Sequence, residues 1–399
     1  MKFLIINQHS LNYGDDIAGI ALIQELKKRF PNNLHIDIIY NTKGKLPIDE
    51  ENVEHRFDLT LKKVGKIQLF IFYFFSLFGL KIIFDDTLRE FRKTIQEADK
   101  IFVSPSGANI GIYKDWRFLL KVWMVDVFEG DLVFHNNTIG KSGHLLFDRI
   151  AAKILRRSDI YVRELSSYQY LKKQRISSVR TVDTGFMFKN VKISPEYIQN
   201  KKNYIVFIPA KLSNWHPNFK NSNVEEKLQE VIIPELIEFL ECNKQKIVFL
   251  PHMYGESNED DLLLNYKQHF LDAGLEEKQI LDIKVHDCFD YDLIISNSSA
   301  VVSMRYHGVI MAIKNAIPFI SLAYENKMKE ACIYSNLQLF NMDISVGEFS
   351  AFREKIEYLW AHKSDIEKSM EISQGHLVDL ASVCLNQLEF VKKGNIQFE

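Results

Sequence analysis

The 399-residue chain is poor in the residues that punctuate or staple a fold, with 4 Cys, 9 Pro and 17 Gly. Cys242, Cys288, Cys332 and Cys384 lie about forty to fifty residues apart with no CxxC pair. That spacing fits neither a zinc cage nor a disulfide framework, and points to free thiols in a reducing compartment. Scarce Pro and Gly exclude collagen-like repeats and low complexity. Charge of one sign is also missing. Fifty Lys+Arg against 52 Asp+Glu leave a net −2, so no global field recruits nucleic acid or anionic lipid. No apolar run reaches the about 20 residues of a spanning helix, and MKFLIINQHS turns polar too early for a signal peptide. GxSxG and GxGxxG are absent, which argues against a Ser-His-Asp hydrolase and the common dinucleotide fingerprint. His9, His216 and His286 lack ligand spacing, and no metal is expected.

What is present is a normal globular composition, 46% hydrophobic. At roughly 150 residues per domain the length predicts two or three domains. Residues 2–6 form an apolar run, followed by a polar loop, a helical pattern to Pro31 and a second strand-like run at 34–40. This alternation continues. Strands are predicted at 100–104, 132–135, 160–163 and 179–182, with helices at 114–129, 144–157 and 165–174. The pattern pauses between Asp183 and Asn203 and then restarts with a strand at 204–208 and a polar loop containing Trp215 and His216. A helix near 224–242 and strands at 246–250, 300–304 and 317–322 follow, with a helix at 306–315 between the last two. Such alternation implies mainly parallel sheets covered on both faces. The expectation is an α/β protein of two doubly wound, Rossmann-like domains facing across a cleft. Their spans are 1–190 and 200–375; the sequence ends in helical segments near 346–363 and 364–392, and the C-terminal part, 376–399, is expected to pack back on the first. Ligands of such sheets bind at the carboxyl ends of the strands.

Several polar groups fall at those ends. Ser303-Met304-Arg305-Tyr306-His307-Gly308 lies where a strand gives way to a helix, whose free N–H groups favour an anion. Arg305 adds a bidentate fork there, and His307 a group that exchanges protons near neutral pH. Arg163 ends a strand of the first half, able either to face Arg305 or to pair with Glu164. Asn12-Tyr13-Gly14-Asp15-Asp16 opens the first helix, where an aspartate serves as a cap or as a base. Ser104-Pro105-Ser106-Gly107-Ala108-Asn109 and Asn136-Asn137 follow other strands, as does Pro251-His252.

Together these motifs resemble the polysaccharide pyruvyl transferases over nearly the whole chain. The matching pieces are Asn12-Tyr13-Gly14-Asp15, Ser106-Gly107-Ala108-Asn109, Val162-Arg163-Glu164-Leu165-Ser166-Ser167, Pro251-His252, the Arg305-Tyr306-His307-Gly308 block and Tyr324-Glu325-Asn326-Lys327. One departure stands out. The family's glycine-rich run is here Ser104-Pro105-Ser106-Gly107. The resemblance implies a glycosyltransferase-B-like fold and transfer of pyruvate from phosphoenolpyruvate, as co-substrate without a cofactor, onto a sugar as a ketal. It implies Arg163, Arg305 and His307 as the donor site. With it, His307 is expected as general acid toward the donor methylene and Asp15 as base toward the sugar hydroxyl. Asn12, Gly14, Ser106, Gly107, Asn109, Asn137, His252, Ser303, Gly308, Glu325 and Lys327 are expected to bind substrate. A nucleotide-sugar glycosyltransferase, or a non-catalytic sugar-binding protein, would use the same fold.

Residues 67–80 are uncharged between Lys66 and Lys81, with five Phe and one Tyr. They read either as a buried helix or as a peripheral membrane contact over 66–81. The second reading suits a cytoplasmic enzyme at the inner face of the membrane with a lipid-linked saccharide acceptor.

Overall fold

The computed structural model describes residues 1–31, 34–59, 64–107, 109–192, 203–212, 219, 224–347 and 349–388. Lys62, Lys63, Ala108, Trp215, His216 and residues 193–202 of the predicted joint between the halves lie outside them.

The first half is a seven-stranded parallel sheet of β1 (Lys2–Gln8), β2 (His35–Tyr40), β3 (Val53–Arg56), β4 (Lys100–Val103), β5 (Leu132–Asn137), β6 (Asp159–Val162) and β7 (Val179–Arg180). Its order is β3-β2-β1-β4-β5-β6-β7, the doubly wound arrangement. Around it run α1 (Tyr13–Arg29), α2 (Lys66–Ser76), α3 (Asp86–Glu97), α4 (Trp116–Val127), α5 (Leu145–Leu155) and α6 (Leu165–Lys173). β1 is apolar on both faces because helices cover both, so it reads as a continuous run rather than an alternation. β3, with sequence VEHR at the sheet edge, has no such run and is invisible to pattern reading.

The second half is a five-stranded parallel sheet of β8 (Tyr204–Ile208), β9 (Lys246–Phe249), β10 (Ala300–Ser303), β11 (Phe319–Ala323) and β12 (Asn341–Asp343), ordered β12-β11-β10-β8-β9. Its helices are α7 (Val224–Lys227), α8 (Ile233–Cys242), α9 (Asp260–Asp272), α10 (Cys288–Ser296), α11 (Tyr306–Lys314), α12 (Asn326–Tyr334), α13 (Phe352–Ala361) and α14 (Lys363–Asn386). A π-helical turn, Leu228–Ile232, joins α7 to α8. The two halves are similar in architecture but wound in different strand orders. Each reverses direction at one switch point, between β1 and β4 in the first sheet and between β8 and β10 in the second.

One apolar core runs through both halves and includes Ile17 and Ile20 of α1, Phe186, and Ile310 of α11. The stretch after Asp183 therefore begins as structure rather than as a loose linker. Thr184–Met187 is a fully buried 3-10 turn in that shared core. The C-terminal helix runs Lys363–Asn386, against the expected 364–392, and crosses to the first half. There Asn136 Nδ2 donates to Ala381 O at 2.9 Å, and the Tyr161 hydroxyl donates to Gln387 Oε1 at 3.2 Å. Residues 389–399 lie outside the described ones. Among the described residues, no helix is long and apolar enough to cross a membrane.

Candidate active site

The chain leaving β1 turns through Leu11, whose φ is 76°, and enters α1 at Asn12. The Asn12 carboxamide accepts from the Gly14 and Asp15 amides at 2.9 and 3.3 Å, so Asn12 is the cap and neither aspartate is. Asp16 serves the junction between halves instead. It is buried, and its carboxylate accepts from the Ser10 hydroxyl at 2.7 Å and from the Tyr254 hydroxyl of the other half at 2.6 Å. Backbone bonds reinforce the contact, Tyr13 N to His252 O at 3.1 Å and Tyr254 N to Leu11 O at 3.2 Å. Asp15 is left half-buried at the opening of α1, its carboxylate at the cavity wall.

From the second half, Ser303 ends β10 and its hydroxyl accepts from the Arg305 amide at 3.0 Å, fixing the start of α11. Arg305 reaches the Glu259 carboxylate and donates from Nε to Pro209 O at 3.3 Å. Glu259 also accepts from the amides of His252 and Met253, at 2.7 and 3.1 Å. Two residues past Arg305, His307 lies against α1. A Cβ added at Gly14 would sit 2.1 Å from His307 Nδ1 and 2.4 Å from its Cβ. Gly14 is thus required by close approach rather than by backbone angle. Gly14→Ala is expected to cost about 1–3 kcal/mol through overpacking. Urea unfolding checks this; an unchanged midpoint would show that His307 yields freely.

Arg163, 2% exposed at the end of β6, donates from NH1 to Asp183 Oδ2 at 2.7 Å and from Nε to Thr138 Oγ1 at 3.2 Å. Its guanidinium stacks over Tyr306, with Cζ 4.9 Å from the ring centroid. The cation is thereby aimed by both halves. Glu164 makes no cap for α6; Glu330, from α12 across the interface, accepts from the Leu165 and Ser166 amides. Asp183 faces His307 as well, with Oδ2 3.8 Å from Nε2.

These groups close on a cavity of about 410 Å³ lined by both halves, including Asn12, Asp15, Ser106, Gly107, Asn109, Arg163, His252, Arg305, His307 and Lys327. A second cavity of about 830 Å³ adjoins it across Gly107, Tyr113, Tyr324 and Lys327. Of the residues expected to bind substrate, Gly14, Asn137, Ser303 and Gly308 lie outside the lining of both. Asn137 Nδ2 donates to Ser104 O at 2.8 Å, and so shapes the loop rather than facing the cavity. Ser303 and Gly308 are packed on each other, since a Cβ at Gly308 would meet Ser303 Oγ at 2.4 Å. Gly14 contributes closeness, and Glu325 lines the second cavity. Sequence reading passed over Asp183, Glu259, His9 and Tyr113. Asp183 follows a strand and precedes Gly185, a recognisable signal, but it fell inside the predicted joint.

The charges are set by burial. Burial pushes the Asp15 carboxyl up to about 6, although Arg163 and Lys327 pull it down. Burial drives the His307 ring down to about 4; Asp183 draws it back up, and Arg163 and Lys327 lower it further. Burial alone would raise Asp183, but Arg163, His307 and hydrogen bonds from Gly185 and Tyr306 hold it below the usual carboxylate range. Burial would lower Lys327, yet Glu325, Tyr113 and Tyr324 keep its ammonium above the ordinary lysine range. In the free protein His307 is neutral at pH 7. The expected acid therefore lacks its proton there, and the higher of the two values belongs to Asp15, the expected base.

Among the described residues one His/Asp/Glu grouping has metal-like proximity, His35, Asp37 and Glu54. The Lys2 ammonium occupies its cationic position, 3.1 Å from Asp37.

Residues 12–326 match the family described as polysaccharide pyruvyl transferase. The chain belongs to that family. The matched part holds every cavity residue named above except His9 and Lys327, which fall just outside its ends. No curated protein is matched in sequence. Solved structures that resemble the fold include UDP-GlcNAc 2-epimerase from Neisseria meningitidis bound to UDP-GlcNAc, with TM-score 0.55, 13% identity and 97% and 99% of the two chains covered. A glycosyltransferase from Rickettsia africae ESF-5 aligns with TM-score 0.58, 13% identity and coverage of 97% and 99%. Sucrose-phosphate synthase from Thermosynechococcus elongatus aligns at 0.57, 10% identity and 97% of both chains. At such identities the likeness establishes the fold, which is glycosyltransferase-B-like. For a pyruvyl transferase family member, this fold puts the strand-end motifs of both halves on one cleft.

Proposed function

We propose that the protein transfers the pyruvyl group of phosphoenolpyruvate onto two hydroxyls of a saccharide, forming a ketal and releasing phosphate. One observation carries this reading: Arg163, Arg305 and Lys327 meet on a single cavity beside His307 and Asp15. The donor carries a carboxylate and a phosphate on one carbon, so it needs fixed cations from more than one direction. It also needs a proton for its methylene and an acceptor for the proton of the attacking hydroxyl.

The atoms balance without a cofactor. Protonation of the methylene makes a methyl group and leaves the adjoining carbon electron-poor. One sugar hydroxyl adds there, the bond to phosphate breaks, and the second hydroxyl closes the ketal. Of the two hydroxyl protons lost, one replaces the proton given to the methyl and the other leaves with phosphate. Asp15, half-protonated near pH 6, suits the methylene, and neutral His307 suits the hydroxyl.

The acceptor enters through the adjoining cavity. Its walls carry the hydroxyls of Thr138, Ser142, Ser166 and Ser167, with Tyr170 and Asn326 beside the charged Lys141, Glu164, Glu325 and Lys327, a polar and partly aromatic lining suited to sugar. The acceptor is a unit of a cell-surface polysaccharide or of its lipid-linked precursor, reached from the cytoplasmic side where the donor is made.

Incubation with phosphoenolpyruvate and saccharide fragments should release inorganic phosphate and yield an acid-labile ketal. Nucleotide release from a sugar nucleotide, with no phosphate from phosphoenolpyruvate, would establish the glycosyltransferase reading instead.

A further inference from the structure

Helix α2 presents an apolar face on each side. Inward, Phe72 packs on Phe128 with ring centroids 5.6 Å apart, and Tyr73 packs on Trp123 at 5.0 Å. The Tyr73 hydroxyl donates to Leu120 O at 2.6 Å, so the helix is held firmly on α4. Outward, Ile67, Phe70 and Phe74 follow the three- and four-residue spacing of one helical stripe, and Leu77 and Phe78 continue it in the turn past Ser76. They are 76%, 68%, 45%, 60% and 69% exposed, and Leu80 and Phe84 extend the patch at 50% and 64%. Single exposed apolar residues are ordinary, whereas a contiguous stripe of them marks a contact surface.

Charge identifies the partner. From Leu59 to Phe84 the sequence contains Lys62, Lys63, Lys66 and Lys81 and no Asp or Glu. Lys66 is exposed at the start of the helix, and Lys81 beyond its end reaches Glu129 at 2.8 Å. Aromatic rings between basic flanks complement an anionic lipid surface, where the rings enter the acyl boundary and the ammonium groups meet phosphates. The eleven-residue helix is far too short to span and is pinned from below, so it lies in the plane of the interface.

We propose that α2 docks the protein reversibly on an anionic bilayer, with Phe70, Phe74 and Phe78 inserted. The inference goes beyond the proposed reaction and does not depend on which donor the cavity takes.

The test is co-sedimentation with vesicles of equimolar phosphatidylglycerol and phosphatidylcholine, beside vesicles of phosphatidylcholine alone. The parent should bind the anionic vesicles at least about tenfold more tightly than the neutral ones. Phe70→Ser/Phe74→Ser/Phe78→Ser should lose at least about tenfold in binding. It should keep the parent's melting curve, because these rings face solvent. Lys66→Glu, which leaves the rings intact, should weaken anionic binding even if the triple variant proves unstable. A parent that stays in the supernatant overturns the proposal, as does equal binding of parent and both variants. So does a parent dimer that the triple variant converts to monomer without vesicle binding, which would assign the face to a second copy.

Discussion

Asp183→Asn is expected to lower stability by about 3 kcal/mol, the cost of taking a buried charge's nearest partner away and leaving only Glu164, 3.8 Å from Arg163 Nε. Asp183 is fully buried, and so, within 2%, is Arg163, whose NH1 lies 2.7 Å from its carboxylate. Asn fills the same volume and keeps an acceptor for the Gly185 amide, so the loss isolates charge rather than shape. The urea midpoint reads it directly. Arg163→Met placed on top should restore much of the loss, since the stranded cation is then gone. The pH dependence has a definite sign. The Asp183 carboxyl is held below its ordinary range in the folded state. Its contribution is therefore complete above the ordinary carboxylate pKa and disappears as pH falls through the lowered one. Parent and variant should accordingly converge in stability in strong acid. An unchanged midpoint at neutral pH would mean that water, not Asp183, compensates Arg163. Asp183 also presents Oδ2 to His307, so the variant should lose turnover in the fraction that remains folded.

The residues that sequence reading found, and those it missed, divide along a physical line. Parallel strands buried on both faces announce themselves as apolar runs, as at Phe3–Ile6 and Tyr204–Ile208. Short polar edge strands do not: β3 is VEHR and β12 is NMD, and both escaped, whereas the edge strands β7 and β9 were found at 179–182 and 246–250. Chemistry at strand ends was legible where it was local, because Asn12-Tyr13-Gly14 and Ser303-Met304-Arg305 each carry their own turn and cap. Asp183 and Glu259 were not, because each is defined by a partner 20 or 46 residues away. Gly14 was expected to bind substrate, but that its neighbour is His307 emerges only when two halves meet. The aromatic run 67–80 gave two exclusive readings, buried or interfacial; the structure buries Phe72 and Tyr73 on one face of α2 and leaves Ile67, Phe70 and Phe74 exposed on the other. Burial is equally absent from sequence, and it is burial that sets the protonation of Asp15 and His307.

That protonation leads to the second large effect. Asp15→Asn and His307→Gln should each lower turnover by about a hundred- to ten-thousand-fold, but through different steps. With Asp15 raised to about 6 and His307 lowered to about 4, the dominant form between those values is protonated Asp15 beside neutral His307. The donor's negative charges raise both further, keeping the acid protonated and making the ring a stronger base. kcat/KM should rise through about 4 as His307 loses its proton and fall through about 6 as Asp15 loses its own. The bell alone does not separate the roles, because ionised Asp15 beside charged His307 binds the same number of protons. A partial reaction does. Reversible protonation of the methylene exchanges the donor's hydrogens with deuterated water and needs only the acid. His307→Gln should retain this exchange with acceptor withheld, and Asp15→Asn should lose it. The opposite outcome would make His307 the acid, reached through the minor protonation state. Exchange surviving in both variants would remove both residues from the methylene step, and the proton would then have to come from solvent.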